Sequence, residues 1–437
     1  MKKTGKQLLC GFAAAVLALS LTACGKGQSA DGLDAKYEPP ADAGPLTMVS
    51  GYNLYRQGNA NDQGYYEIFK HTEQGNNVVY TDFATSTRLY LCNQPDCLHR
   101  DENCPSYNAE FRYPELLPTE SGLYIFQDGG YTMQGKDADR PKIWRMELDG
   151  SNQELVYTFA NANQPDFDNN AVTDGERLYF KMDVFDKETC TEEEYGQIVE
   201  ERLMCFDLKN EKLMSVCDIH TGYDANQFLV GCTGRNIVLR ESKSLPNPKD
   251  QEKGANTLWA LNVDTGEKRK INEEPIIARY DSNWTGPDQY VWWDNGGQTC
   301  HTLDYATGET ATVQLERPIP QESRAWFAKD KHLVLSWEVN GRDQCFAADL
   351  TTGAVQPILT AEDHGEKAGQ FPCCILAETE DSYLVEVSHE NASITWYNPD
   401  GTTEKATWDL PRQAWIPKED YWSGNAEHVT PIQDLVA

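Results

Sequence analysis

A strand-turn unit that recurs at nearly even spacing limits this chain more than any other feature. Beyond residue 48 the apolar residues come in short β-type runs separated by Gly, Asn, Asp and Pro. One run recurs as Leu123–Phe126, Leu178–Phe180, Ile237–Leu239, Tyr290–Trp293, Leu333–Leu335 and Tyr383–Val385. Each is followed by a second run that ends in a turn, beginning at Trp144, Met204, Leu258, His301, Cys345 and Thr395. A seventh unit, VVYTDFATSTRLYL, starts at Val78. In the D-x-x-T-G form of the turn an acidic side chain caps backbone amides, and glycine takes the positive φ that closes the hairpin. Turn glycines at 266, 308, 353 and 401 are 42, 45 and 48 residues apart, which is the length of a four-stranded blade. The repeat predicts an all-β propeller of about seven four-stranded blades, six and eight being the neighbouring counts. Paired β-sandwich domains are the rival architecture, since short strands with turn signals suit both.

The repeat is interrupted twice. One interruption follows Leu91. The other surrounds Thr191–Glu194, read as a capping box that opens a short acidic helix to about Glu201. The aromatic tail from Ala414 is expected to be folded, closing the ring by a strand beside Val49–Tyr55.

The first 47 residues carry an address instead of a core. Lys2, Lys3 and Lys6 precede an apolar stretch, Leu8–Leu19, of signal-peptide length and too short to span a bilayer. It ends in Leu21-Thr22-Ala23-Cys24-Gly25, which resembles the bacterial lipobox, where cysteine is lipidated and the preceding bond is cut. Residues 1–23 are thus expected to be a signal peptide and Cys24 a lipidated N-terminus. Acyl chains add about 0.8 kcal/mol per buried methylene, so two or more hold a protein to a membrane without a transmembrane helix. Residues 24–47 read as a flexible tether, and 48–437 as the folded domain with a Cys/His insertion at 92–109.

Charge narrows the partners. The formal net charge is −31, and loss of Lys2, Lys3 and Lys6 takes it to −34. Such a surface repels phosphate polymers, which argues against nucleic acid as a partner.

Cysteine usage carries the sharpest chemical signal. Of thirteen cysteines, Cys10 and Cys24 belong to the leader and anchor. Cys92, Cys97 and Cys104 cluster with His99 in C-x4-C-x-H-x4-C. Three sulfurs and one imidazole make a complete tetrahedral set for one structural zinc. In an exported protein two of the three could equally be a disulfide, and a redox role is a third reading.

The lipobox, this cysteine block after the first blade, the repeating units and the terminal Ile416-Pro417-Lys418-Glu419-Asp420-Tyr421-Trp422 together resemble a group of surface lipoproteins common in anaerobic Gram-positive bacteria. The resemblance covers most of the mature chain, its specific motifs being the lipobox and the cysteine block. It implies a propeller on the extracellular face of the cell membrane and contributes no activity and no catalytic residue.

Signatures of catalysis are mostly missing. The chain has no G-x-S-x-G elbow, no H-E-x-x-H and no phosphate-binding loop. Tryptophan is abundant, and Trp284, Trp292, Trp326 and Trp422 are candidate faces for a ligand. Three functions stay open. A tethered binding module for a glycan, peptide or protein would gather exposed aromatics at one mouth of the ring. A polysaccharide-active hydrolase or lyase would bring His220, His301 or His364 together with carboxylates. An envelope scaffold would do neither.

Overall fold

The computed structural model describes residues 35–49, 58–71, 75–99, 101–111, 114–127, 140–160, 163–186, 198–220, 226–247, 252–294, 296–361, 371–397 and 403–435. The leader, Cys24 and the start of the tether lie outside these residues. No helix among the described residues is long and apolar enough to cross a membrane.

Seven antiparallel sheets follow one another along the chain, each built on four consecutive strands. Blade 1 runs from Gly58–Ala60 to Thr87–Tyr90, blade 2 from Glu115–Thr119 to Glu154–Thr158, and blade 3 from Asn163–Thr173 to Lys212–His220. Blade 4 runs from Asn226–Thr233 to Lys268–Lys270, blade 5 from Asn283–Thr285 to Thr310–Gln314, and blade 6 from Arg324–Lys329 to Val355–Pro357. Blade 7 holds Cys374–Glu378, Ser382–Tyr397, Thr403–Pro417 and Thr430–Pro431. The result is a seven-bladed propeller, and the paired-sandwich alternative falls.

The core explains why the second strands were so visible in the sequence. Such a strand is buried on both faces, so its residues alternate between the seams to left and right instead of between core and solvent. In blade 4, Ile237 and Leu239 pack into the seam with blade 3, whereas Val238 packs into the seam with blade 5. Each of the seven seams holds its own apolar cluster.

Turn chemistry follows the expected physics, with one change of residue. Asp304 Oδ1 accepts from the Thr307 amide at 2.8 Å, and Asp349 Oδ1 from the Thr351 and Thr352 amides at 2.7 and 3.0 Å. In blade 4 the cap is Asn262, whose Oδ1 accepts from the Asp264 and Thr265 amides. Asp264 is thereby released to hold Arg235, in the contact described below. Gly353 is required twice over: its φ is +82°, and a Cβ would sit 2.1 Å from the Gln314 carbonyl of the preceding blade.

Four details differ from expectation. The unit at Thr395 is no third strand. Ser382–Tyr397 and Thr403–Pro417 pair along their whole length as a projecting hairpin arm. Gly401 falls between these two strands, outside the described residues, and the third strand of the blade body is Gln413–Pro417, paired with Ser382–Glu386. The helix expected to reach Glu201 gives way to a strand, Ile198–Asp207, because Met204 and Phe206 are wanted in one seam and Leu203 and Cys205 in the next; Thr191–Glu194 lie outside the described residues. The stretch 35–47, expected to be tether, crosses blades 3 and 4 as a strap. Tyr37 and Leu46 are buried in their seam, and Thr47–Met48 pairs with Val172–Thr173. Ring closure does use the tail, at a different place: Gln433–Asp434 adds in parallel to Thr87–Arg88.

Polar locks secure both the strap and the closure. Arg235 holds Asp264 through two nitrogens, at 2.9 and 2.7 Å, and reaches Asp174 at 3.0 Å and the Gly44 carbonyl at 3.0 Å. That hydrogen bonding holds the Asp264 carboxyl below its usual range. At the closure, Arg88 is 1% exposed and pairs with Glu67 at 2.8 Å and Asp434 at 3.2 Å.

Candidate metal centre and the two ends of the ring

The Cys/His block is an excursion from the outer strand of blade 1 that leaves and returns at one residue. The Leu91 amide donates to the Val78 carbonyl at 3.0 Å, and the Val78 amide donates to the Ser106 carbonyl at 2.9 Å. Residues 92–105 are therefore looped out between two rungs of the same ladder, a compact loop with adjacent ends. After it, Tyr107–Asn108 pairs with Asn76–Asn77. Inside the loop Asp96 (φ 59°) and His99 (φ 54°) take left-handed conformations, which Asp and His tolerate better than most side chains.

These turns bring Cys92, Cys97, His99 and Cys104 together, with one ligand atom from each lying within 4.8 Å of all the others. His99 Nδ1 lies 3.3 Å from Cys104 Sγ. A tetrahedral ion with bonds of about 2.3 Å to sulfur and 2.0–2.1 Å to nitrogen has edges of roughly 3.5–3.8 Å, so the cluster matches the size of such a site. A disulfide needs about 2.05 Å between sulfurs, and none of the ten described cysteines forms one.

The surroundings support a cation. Cys104 is buried, and Ser106 Oγ stands 3.1 Å from its sulfur. The Asn77 amide nitrogen donates to Ser106 Oγ at 2.8 Å and approaches the same sulfur at 3.9 Å. The Tyr90 ring stacks on His99 at 4.2 Å with 19° between planes, fixing the imidazole. Burial pushes the Cys104 thiol up to about 12, raises Cys92 and lowers His99. Desolvated thiols of this kind become thiolates when a metal supplies the positive charge. The Cys3His group could thus hold a metal ion, with all four tetrahedral positions filled by protein and no position open for substrate. Asn77, Ser106 and Tyr90 were not identified from the sequence: Asn77 lies 27 residues from Cys104 on a neighbouring strand, and no spacing rule connects them.

The loop also touches blade 2. Asn93 donates to Asp149 at 3.1 Å, Asn108 to Gln153 at 2.7 Å, and Gln153 to the Pro105 carbonyl at 3.4 Å. The centre therefore sits at the outer rim, where it ties two blades together, away from the inner strands that line the channel.

The two ends of the ring are unlike. In an antiparallel blade the connections 1–2 and 3–4 share one end, and connections 2–3 share the other with the crossings between blades. Every 1–2 connection is two or three residues long, as at 234–235 and 330–331. The opposite end carries residues 128–141 in blade 2, 186–197 in blade 3, 245–252 in blade 4 and the blade 7 arm.

The candidate tryptophans lie on blades 5, 6 and 7. Trp284 and Trp292 are partly exposed. Trp284 packs against the seams on both sides of blade 6, and Trp292 stacks on His301 at 5.0 Å. Trp326 and Trp422 are 9% and 8% exposed. The Trp326 indole donates to Ser336 at 2.9 Å and that of Trp422 to Tyr383 at 3.2 Å. His220 ends the outer strand of blade 3, His301 sits on the third strand of blade 5 with Thr312 as its hydrogen-bond partner, and His364 lies outside the described residues. His220 and His301 thus lie on an outer and a third strand, not on the innermost strands of their blades.

No protein-family model matches the chain, and no curated protein matches it. Among solved structures, an ulvan lyase of a polysaccharide lyase family is similar at 11% identity and a TM-score of 0.46, over 79% of this chain and 92% of its own. Oligogalacturonate lyase in complex with manganese is similar at 12% and 0.41, over 80% and 91%. Puromycin hydrolase is similar at 12% and 0.43, over 84% of this chain and 59% of its own. At such identities the likeness is one of fold.

Proposed function

We propose that this chain is a lipid-anchored binding module on the extracellular face of a cell membrane, held by Cys24, with one structural zinc at its rim. Ligand engages the elaborated end of the propeller. The observation that carries this reading is the unequal construction of the two ends. One has 1–2 turns of two or three residues in every blade, and its only connection longer than seven residues among these strands is 418–429 of blade 7. The other has long 2–3 connections in blades 2, 3 and 4, with the blade 7 arm. A rigid scaffold that spends its loop length on one face is built to present that face. Glycans, peptides and proteins all remain within this class of partner, and nucleic acid is disfavoured by the charge of −31. Zinc is favoured over harder cations by the three thiolate donors, and the closed ligand set suits a structural role.

The test has two arms. Cys24→Ala should move the protein from the membrane fraction to the medium. Mature protein should bind at least one member of a panel of envelope glycans, peptides and proteins. Deletions within residues 128–141 or 186–197 should abolish that binding, and substitutions in the 1–2 turns should preserve it. Equal sensitivity of both ends would refute the assignment.

A further inference from the structure

Arg240 meets no carboxylate among the described residues, a lack it shares with Arg317, which donates to the Val355 carbonyl and lies against Trp337 and Phe346. In this acidic chain Arg88, Arg145, Arg202, Arg235, Arg279 and Arg412 each meet at least one carboxylate. Arg240, on the second strand of blade 4, is partly buried, and its one polar partner among the described residues is Asn283 Oδ1, at 3.4 Å. Its Nε has no hydrogen-bond partner. Tyr290 and Tyr305 are fully buried in the seam beneath it, and neither hydroxyl makes a hydrogen bond to it. A guanidinium is a permanent cation with five donors, and leaving it partly desolvated without an anion costs free energy that an incoming carboxylate would recover.

What covers Arg240 is an aromatic face. Its guanidinium carbon lies 5.6 Å from the centroid of Phe228, its register partner on the innermost strand, and Phe228 is 38% exposed. Two blades on, Arg324 lies 4.2 Å over Trp326 of its own strand, which meets the 40%-exposed Phe371 edge-on. Asn283 and Arg324 are the first residues of their inner strands, and Phe228 is near the start of its own. The inner strands share one direction, so all three lie towards the elaborated end.

We infer that the blade 4–5 seam at this mouth binds the carboxylate of a uronate-bearing oligosaccharide, with Arg240 pairing the carboxylate, Asn283 beside it and Phe228 stacking on the sugar ring. A uronate carries its carboxylate directly on a rigid ring, so one residue spans the guanidinium and the adjacent phenyl face. An acidic peptide holds its carboxylate on a flexible stem with no flat face to stack. This inference rests on the binding reading above and names the ligand class for it.

The test titrates mature protein calorimetrically with three probes: a mannuronate trimer, the neutral mannose trimer and triglutamate. The uronate should bind at least tenfold more tightly than the other two and weaken with salt. Arg240→Gln, checked for an unchanged melting temperature, should cost at least tenfold; Phe228→Ala should weaken the uronate with little effect on its salt dependence. Equal binding of uronate and neutral trimer, an unaffected Arg240→Gln, or no uronate binding at all would overturn the inference and leave the broader binding reading to its own panel. Triglutamate binding as tightly as the uronate would overturn the sugar assignment.

Discussion

Replacing Arg88 with methionine should open the propeller at its closure. Arg88 joins blade 1 to the tail: it pairs with Glu67 and Asp434, both with side chains 7% exposed, and donates to the Pro411 carbonyl at 3.1 Å. Gln413 completes the network, its Nε2 donating to Glu67 at 2.6 Å and its Oε1 accepting from Thr81 at 2.7 Å. Methionine fills most of the volume and leaves the buried Glu67 without its cation, while Asp434 keeps Arg412 at 3.3 Å; removing one member of a buried ion pair costs about 3–5 kcal/mol. A folded body of about 390 residues unfolds with an entropy of roughly 0.8 kcal/mol/K, so the melting temperature should fall by about 4–6 °C. Adding Glu67→Gln removes the stranded charge and should recover most of the loss. Differential scanning calorimetry on the three proteins reads both values. A melting temperature for Arg88→Met within 1 °C of the parent would refute the role given to this network.

Other perturbations test separate parts of the structure. Gly353→Ala, forced into a positive φ against the Gln314 carbonyl, should cost about 2 kcal/mol or more in denaturant unfolding. Asp264 is held below its usual range by Arg235, so the stability this pair adds is fully present above about pH 4 and is lost as pH falls through the lowered folded value. Asp264→Asn should flatten that acid limb, read as urea midpoints between pH 2 and 6. Ser106→Ala and Asn77→Ala should each weaken metal retention about 10–100-fold in a chelator competition, because both groups support the Cys104 sulfur.

The fold was largely legible because a propeller strand buried on both faces announces itself as an unbroken apolar run, and because its turns reuse one hairpin chemistry. What escaped the sequence had local physics that mimicked the repeat. Gly401 stands 48 residues after Gly353 and follows an Asn-Pro-Asp, yet the third strand of the blade body is Gln413–Pro417, paired with Ser382–Glu386, well beyond that turn signal. Residues 35–47 looked solvated on composition, but Tyr37 and Leu46 find a seam with Tyr179 and Leu229 that no local pattern encodes. The four candidate ligands were legible because they lie within thirteen residues. Their supporting groups were not, because Asn77 and Tyr90 come from strands that precede the loop. Nor was the lack of a carboxylate beside Arg240, since that is a property of the seam.

Elemental analysis of anaerobically purified mature protein, set beside a Cys97→Ser/His99→Ala variant, bears most directly on the rim centre. One zinc per chain, absent from the variant, is the predicted result. No bound metal, with thiol counts showing two of Cys92, Cys97 and Cys104 oxidised to a disulfide, would contradict it.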